Sequence, residues 1–201
     1  MNMLTLTEGE SAVHLARESI ESHLAGMPYP RIPDDAIFQQ QRGVFVTLNT
    51  IKHKLRGCIG VPYPVMPLAD AILTSSKDAA TKDPRFPPLS TKELQKIVIE
   101  VTILTTPEKL EGKPTELLEK IEIGRDGLIV KYGYYQGLLL PQVATEYNFT
   151  TEEFLSQTCM KAGLPSNCWL TGAEIYAFRG QIFGELTPRG SVQEKGLKSV
   201  R

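Results

Sequence analysis

Two strand-like runs, Gly43–Asn49 and Leu55–Val61, are joined by a short polar connection centred on Lys52-His53-Lys54. A parallel crossover needs a dozen or more residues. These runs are therefore expected to form an antiparallel hairpin. The same restriction recurs further along. Ile121-Glu122-Ile123 is followed by Arg125-Asp126-Gly127, Leu128–Tyr132, a turn at Gly133–Gln136 and Gly137–Leu140. Asp-Gly between apolar runs is a strong hairpin signal, so 121–140 is read as a meander. Glu174–Arg179 and Gln181–Leu186 are read as two final strands around Gly180, and Ile97–Leu104 is the richest in β-branched residues.

Helices interrupt these strands irregularly. Thr7-Glu8-Gly9-Glu10 is read as a capping box with Thr7 as N-cap, opening a helix with Val13, Ala16, Ile20 and Leu24 on one face and a stop near Gly26. Pro67 suits the first turn of a helix to about Lys82. Ser90 and Thr150 open two more capping boxes, Thr115 is expected to cap a short helix, and Pro141 starts a turn of helix. Thr105–Lys113 is read as loop. The pattern implies an α+β fold, two-lobed, with mainly antiparallel sheets and flanking helices. One domain is expected over 1–190, with one lobe holding the 43–61 hairpin and the other the 121–140 meander, and a flexible tail over 191–201.

Composition bears on partners. A formal net charge of -1 lacks the basic footprint of a general nucleic-acid binder, although a local basic patch is left open. No apolar run reaches the length of a membrane span, and the first ten residues lack a signal-peptide pattern. A cytoplasmic location is the expectation. The three cysteines, Cys58, Cys159 and Cys168, form no CxxC pair and are expected as reduced thiols, the latter two in the core. His53 precedes Cys58 by five residues; an exposed turn histidine is the reading preferred over a metal ligand. No metal and no cofactor is expected.

The segment most suggestive of chemistry is Leu55-Arg56-Gly57-Cys58-Ile59-Gly60. In a strand, Arg56, Cys58 and Gly60 share one face and Leu55, Gly57 and Ile59 the other. A guanidinium beside a thiol favours the thiolate. Gly57 and Gly60 weaken a strand and suit a close-approaching ligand. The segment is thus read as an electropositive, open spot with a nucleophile. The competing reading is a cysteine that only packs, with Arg56 paired to a structural carboxylate. Glu100, alone among the aliphatics of Ile97–Leu104, is a candidate partner for Arg56 or Arg85, or else a half-exposed strand glutamate. Asp83-Pro84-Arg85-Phe86-Pro87-Pro88 is a stiff loop presenting an acid, a base and a ring; its alternative role is a helix stop.

Together, Leu55–Gly60, Asp83–Leu89, Ile99-Glu100-Val101, Gly127-Leu128-Ile129, Gly137–Ala144 and Lys161-Ala162-Gly163-Leu164-Pro165 resemble the AMMECR-one family over about residues 7 to 186. Phe149 stands where members often carry a tryptophan. The resemblance implies a single two-lobed α+β domain with the Arg-Gly-Cys-Ile-Gly strand near the inter-lobe region. It implies no settled reaction. It suggests Memo-like and radical-SAM proteins as partners in a modification pathway, and RNA modification as one process.

Two functions follow as expectations. In the first, Cys58 is the nucleophile of a thiol-dependent enzyme or enzyme partner, Arg56 tunes it and Glu100 acts as base or orienting acid. Gly57, Gly60, Asp83, Arg85 and Phe86 then line the ligand site. In the second, a non-catalytic module captures a peptide, nucleotide or RNA end in the inter-lobe groove.

Overall fold

The computed structural model describes residues 3–196. In chain order the elements are α1 (Leu6–Ala25), β1 (Val44–Thr50), β2 (Leu55–Val61), α2 (Leu68–Thr81), α3 (Thr91–Leu94), β3 (Ile97–Leu104), β4 (Glu108–Lys109), α4 (Pro114–Lys120), β5 (Asp126–Tyr132), β6 (Tyr135–Leu139), α5 (Pro141–Glu146), α6 (Thr151–Lys161), β7 (Glu174–Glu185) and β8 (Val192–Lys195). The fold is α+β, and β1–β2, β1–β3, β5–β6, β5–β7, β4–β7 and β7–β8 all pair antiparallel. The chain divides into two compact units. One takes in the described residues up to Leu104 together with Gln181–Gly196; the other is Thr105–Gly180.

In the first unit the strand order is β2-β1-β3-β7, with β8 on β7. Alternation along β1 buries Val44, Val46 and Leu48 against α2 and leaves Phe45, Thr47 and Asn49 half-buried on the other face. The inner face of α2 is built from Leu68, Ala71, Ile72, Ser75 and Ala79. These mostly small side chains bring the helix close to the sheet. Each fully buried aliphatic in this layer contributes about 1.5–3 kcal/mol. A buried ion pair ties α1 to the sheet: Arg17 is bound by Glu185, donates to Ile97 O (2.7 Å), and Glu185 also accepts from Ile99 N–H (2.8 Å).

Three expectations change in this unit. The first cap is Thr5, not Thr7: Glu8 Oε2 accepts from Thr5 N–H (2.7 Å), which sets the helix start two residues earlier. The two strands expected around Gly180 are one continuous strand, Glu174–Glu185, because nothing at Gly180 interrupts the extended backbone, and Leu186 falls outside it. The expected tail holds a strand: Val192–Lys195 pairs with Ile182–Glu185 and buries Val192 in the core. The remainder of that tail, 197–201, lies outside the described residues.

In the second unit α6 packs on β5 and β6 around Leu128, Val130, Phe154, Leu155, Trp169 and Ile175. Gly137 lets β6 approach the backbone of Ala162, which any Cβ would overlap. Cys159 and Cys168 are core residues as expected, but they are joined as a disulfide with Cα atoms 6.1 Å apart. Sequence spacing carried no CxxC cue because the pair forms across the turn after α6. The expected strand at 121–123 does not form; a turn at Ile123–Arg125 leads into β5. Asp126 is buried, accepts from Glu122 N–H (2.9 Å) and Arg125 Nε (2.9 Å), and so becomes the first residue of β5. At α4, Pro114 takes the first helical position and Glu116 accepts from Lys113 N–H (3.2 Å), displacing Thr115 as cap. The loop 105–113 contains β4. Among the described residues no helix is long and apolar enough to cross a membrane.

Candidate functional site

β2 is the outer strand of its sheet. Thr47 pairs with both Cys58 on β2 and Glu100 on β3, so Cys58, Thr47 and Glu100 form one cross-strand row on the face away from α2. The Cys58 Sγ and Thr47 Oγ1 are 3.2 Å apart. No motif search would single out Thr47; only the strand register brings it to the thiol.

The outward backbone of Cys58 is held by the stiff loop. Its N–H donates to Asp83 Oδ2 (2.8 Å), and its carbonyl accepts from Arg85 Nη2 (3.3 Å). Asp83 in turn receives Arg85 Nε (2.9 Å), Nη2 (2.7 Å) and N–H (3.1 Å). Two side chains thereby do for this strand edge what a further strand would do. The bidentate guanidinium and the Cys58 N–H hold the Asp83 carboxyl well below the usual carboxylate range. Asp83–Phe86 is a turn closed by Phe86 N–H donating to the Asp83 carbonyl (3.1 Å), and Pro84 fixes φ at its second position. Asp83 and Arg85 also act as a local pair after α2, so the site-lining and helix-stop readings describe the same atoms.

Arg56 donates through Nε to Glu93 Oε1 (3.1 Å). Glu93 is itself fixed as the capping-box residue of α3, with Oε2 on Ser90 N–H (3.0 Å). Phe86 lies between the basic groups: the guanidinium carbons of Arg56 and Arg85 are 5.8 and 5.6 Å from its ring centre, within cation–π range. Arg56 Nη2 is buried and has no hydrogen-bond partner.

The structure alters three of the sequence expectations for this site. Glu100 pairs with neither Arg56 nor Arg85; it accepts from Lys195 Nζ (2.9 Å), whose side chain lies over Gly184. Gly57 faces α2, where a Cβ would overlap the Ala79 carbonyl oxygen, and Gly60 lies beneath the Phe45 ring. Both glycines make room for the protein's own packing rather than for a ligand. The spot is also not electropositive, since Arg56, Arg85 and Lys195 each carry a carboxylate partner. With those charges balanced, burial dominates and pushes the Cys58 thiol pKa up, against the Thr47 hydrogen bond and Arg85, with Asp83 and Glu100 adding to the rise.

His53 is exposed in the β1–β2 turn with φ 57°, and among the described residues no group of three potential ligands is placed to hold a metal. In the second unit an open groove of about 550 Å³ is lined by Leu139, Val143, Tyr147, Phe149, Met160 and Lys161. It contains none of the candidate residues and no paired acid and base.

The AMMECR1 family model matches residues 13–183. The chain belongs to the AMMECR1 family. A protein of Methanocaldococcus jannaschii is 53% identical over 200 residues, covering 98% of this chain and 100% of that one. One from Methanosarcina acetivorans is 55% identical over 199 residues, covering 96% and 99%. The crystal structure of an uncharacterized protein from Pyrococcus horikoshii superposes with a TM-score of 0.76 at 46% identity, covering 94% of this chain and 96% of that one. Its fold is the same α+β arrangement.

Proposed function

We propose that this AMMECR1-family chain acts as a binding module through the Cys58 face of its first unit, and that its ligand offers a carboxylate or phosphoryl oxygen to Arg56. The observation that carries this reading is the buried, unpartnered Nη2 of Arg56. A guanidinium has five N–H donors in a planar fork, and Arg56 makes its one side-chain ion pair through Nε. A buried donor without an acceptor is costly, and a ligand oxygen beside Phe86 removes that cost. The raised thiol pKa supports binding over a resting nucleophile, because the thiolate is the reactive form.

Alkylation of Cys58 with iodoacetamide across pH tests the reading. The rate should rise only above the pKa of an ordinary cysteine, about 8.5. An inflection below about pH 7.5 would refute a neutral resting thiol. Cys58→Ser should leave partner capture intact, whereas Arg56→Gln should abolish it.

Thiol-dependent chemistry is a second reading, favoured by the Thr47–Cys58 contact and by Glu100 beside Thr47 in the same row. In that case the Cys58 proton passes to water or, relayed by the Thr47 hydroxyl between them, to Glu100 once a bound ligand displaces Lys195. Loss of all cellular function in Cys58→Ser would select it.

A further inference from the structure

The other well-buried arginines of the first unit each meet a carboxylate: Arg17 meets Glu185 and Arg56 meets Glu93. Arg42 does not. Its residue is 2% exposed, its Nη2 donates to Gln40 Oε1 (3.1 Å), and its Nε is buried with no acceptor. Among the described residues no carboxylate lies within ion-pair distance of it. An unpaired buried cation is costly enough that proteins normally supply a counter-charge. Burial alone accordingly lowers its pKa, with no acidic group acting in the other direction.

Its place in the fold shows where a counter-charge would come from. The β1 ladder continues to Gly43, whose carbonyl accepts from Leu104 N–H (2.8 Å). A Cβ on Gly43 would approach Pro62 and Leu104, so Gly43 points away from α2. Alternation therefore places Arg42 with Val44 and Val46, on the α2 side. The same segment holds the start of that helix: Gln40 O accepts from Leu68 N–H (2.9 Å), and Gln41 bridges Pro67. α2 is 14 residues long and has no side-chain N-cap. A helix start carries unpaired N–H groups and a partial positive charge. An uncapped helix start and an unpaired buried guanidinium thus share one chain segment, and Gln40 binds both.

We propose that Arg42 and the first turn of α2 form a binding site for a small oxyanion, on the opposite side of the sheet from Cys58. The anion accepts from Arg42 and from the first-turn amides at Ala69 and Asp70. Asp70, exposed on that turn, is its one acidic neighbour in α2's first turn; its negative charge restricts the site to a small anion on the buried Leu68–Ala69 side. This site does not depend on the reading of the Cys58 face.

The test is a titration of the full-length protein with inorganic phosphate at constant ionic strength, with acetate in a parallel arm. The 15N–1H signals of Ala69, Asp70 and Arg42 Nε are followed, and those of Cys58 and Arg56 report the other face. Saturable movement of the first set is expected, with affinity weakened about tenfold or more in Arg42→Gln through loss of a charge-assisted bond. The arm that saturates at lower concentration assigns a phosphoryl or a carboxylate ligand. No saturable movement in either arm, movement confined to Cys58 and Arg56, or movement that survives Arg42→Gln overturns the site. Should Arg42→Gln fail to fold, the wild-type Arg42 Nε–H decides: a signal that stays fixed throughout both titrations overturns the proposal.

Discussion

Replacing Asp83 by Asn should destabilise the protein by about 2 kcal/mol at pH 7. The Asp83 carboxylate is 4% exposed and accepts from two backbone N–H groups and, bidentately, from Arg85. Hydrogen bonds to a charged group are worth about 1.5–3 kcal/mol each, but Asn retains one oxygen for the Cys58 N–H. The carboxylate is covered mainly by Arg85, whose side chain is 53% exposed, so solvent screens the ion pair and the lower part of the range applies. At 201 residues, about 2 kcal/mol corresponds to roughly 4–8 °C in Tm. The pH dependence has a definite sign. The folded-state pKa of Asp83 is depressed below its unfolded value of about 3.9. Its contribution is therefore complete above the unfolded pKa and is lost as pH falls through the folded one. Urea melts of wild type and Asp83→Asn should differ most at pH 6–7, and the gap should narrow below about pH 4. Equal stabilities at pH 7, or a gap that stays constant down to pH 3, would refute the assigned role of the carboxylate.

Other substitutions test the packing. Gly57→Ala drives a methyl into the Ala79 carbonyl and should cost about 1–3 kcal/mol by chemical denaturation; a neutral effect would mean that α2 does not approach β2 this closely. Glu185→Gln leaves the buried Arg17 with only its longer contact to Glu21 (3.7 Å) and should cost about 3 kcal/mol, with Arg17→Met/Glu185→Leu recovering much of the loss in a double-mutant cycle. Reducing Cys159–Cys168, or replacing both by Ser, releases a cross-link between positions nine apart and should lower stability by about 2–3 kcal/mol. Mass spectrometry finding both thiols free in the purified, oxidised protein would remove that expectation.

The elements whose signals lie in neighbouring residues were legible in the chain itself. β2 and β3 have the bounds their apolar runs imply, α6 starts at its Thr150 capping box, and α1 ends at Gly26, whose φ of 66° suits glycine. Strand alternation likewise placed Arg56 and Cys58 on one face, since side-chain direction depends only on local backbone geometry. Of the misplaced pieces, the last strand depends on a distant partner, whereas the caps at Thr5 and Lys113 and the turn before β5 are set by which neighbour within four residues supplies the hydrogen bond. Val192–Lys195 looks like a polar tail until it pairs with β7, and the turn before β5 exists because Asp126 is buried and fully hydrogen-bonded.

The same division applies to the site. Local sequence could show that Arg56 stands beside a cysteine, but not that Glu93, 37 positions away, would neutralise it. Nor could it show that Lys195 would claim Glu100, or that α2 would occupy the space beside Gly57. Those contacts turn an apparently activated thiol into a half-buried one whose pKa is raised. They also leave Arg56 Nη2 buried without an acceptor. Residue type and spacing determine which groups the chain offers and which way they face. Whether a charge is matched, and whether a gap is already filled, is decided by long-range packing, because burial and Coulomb interactions depend on what the fold brings near.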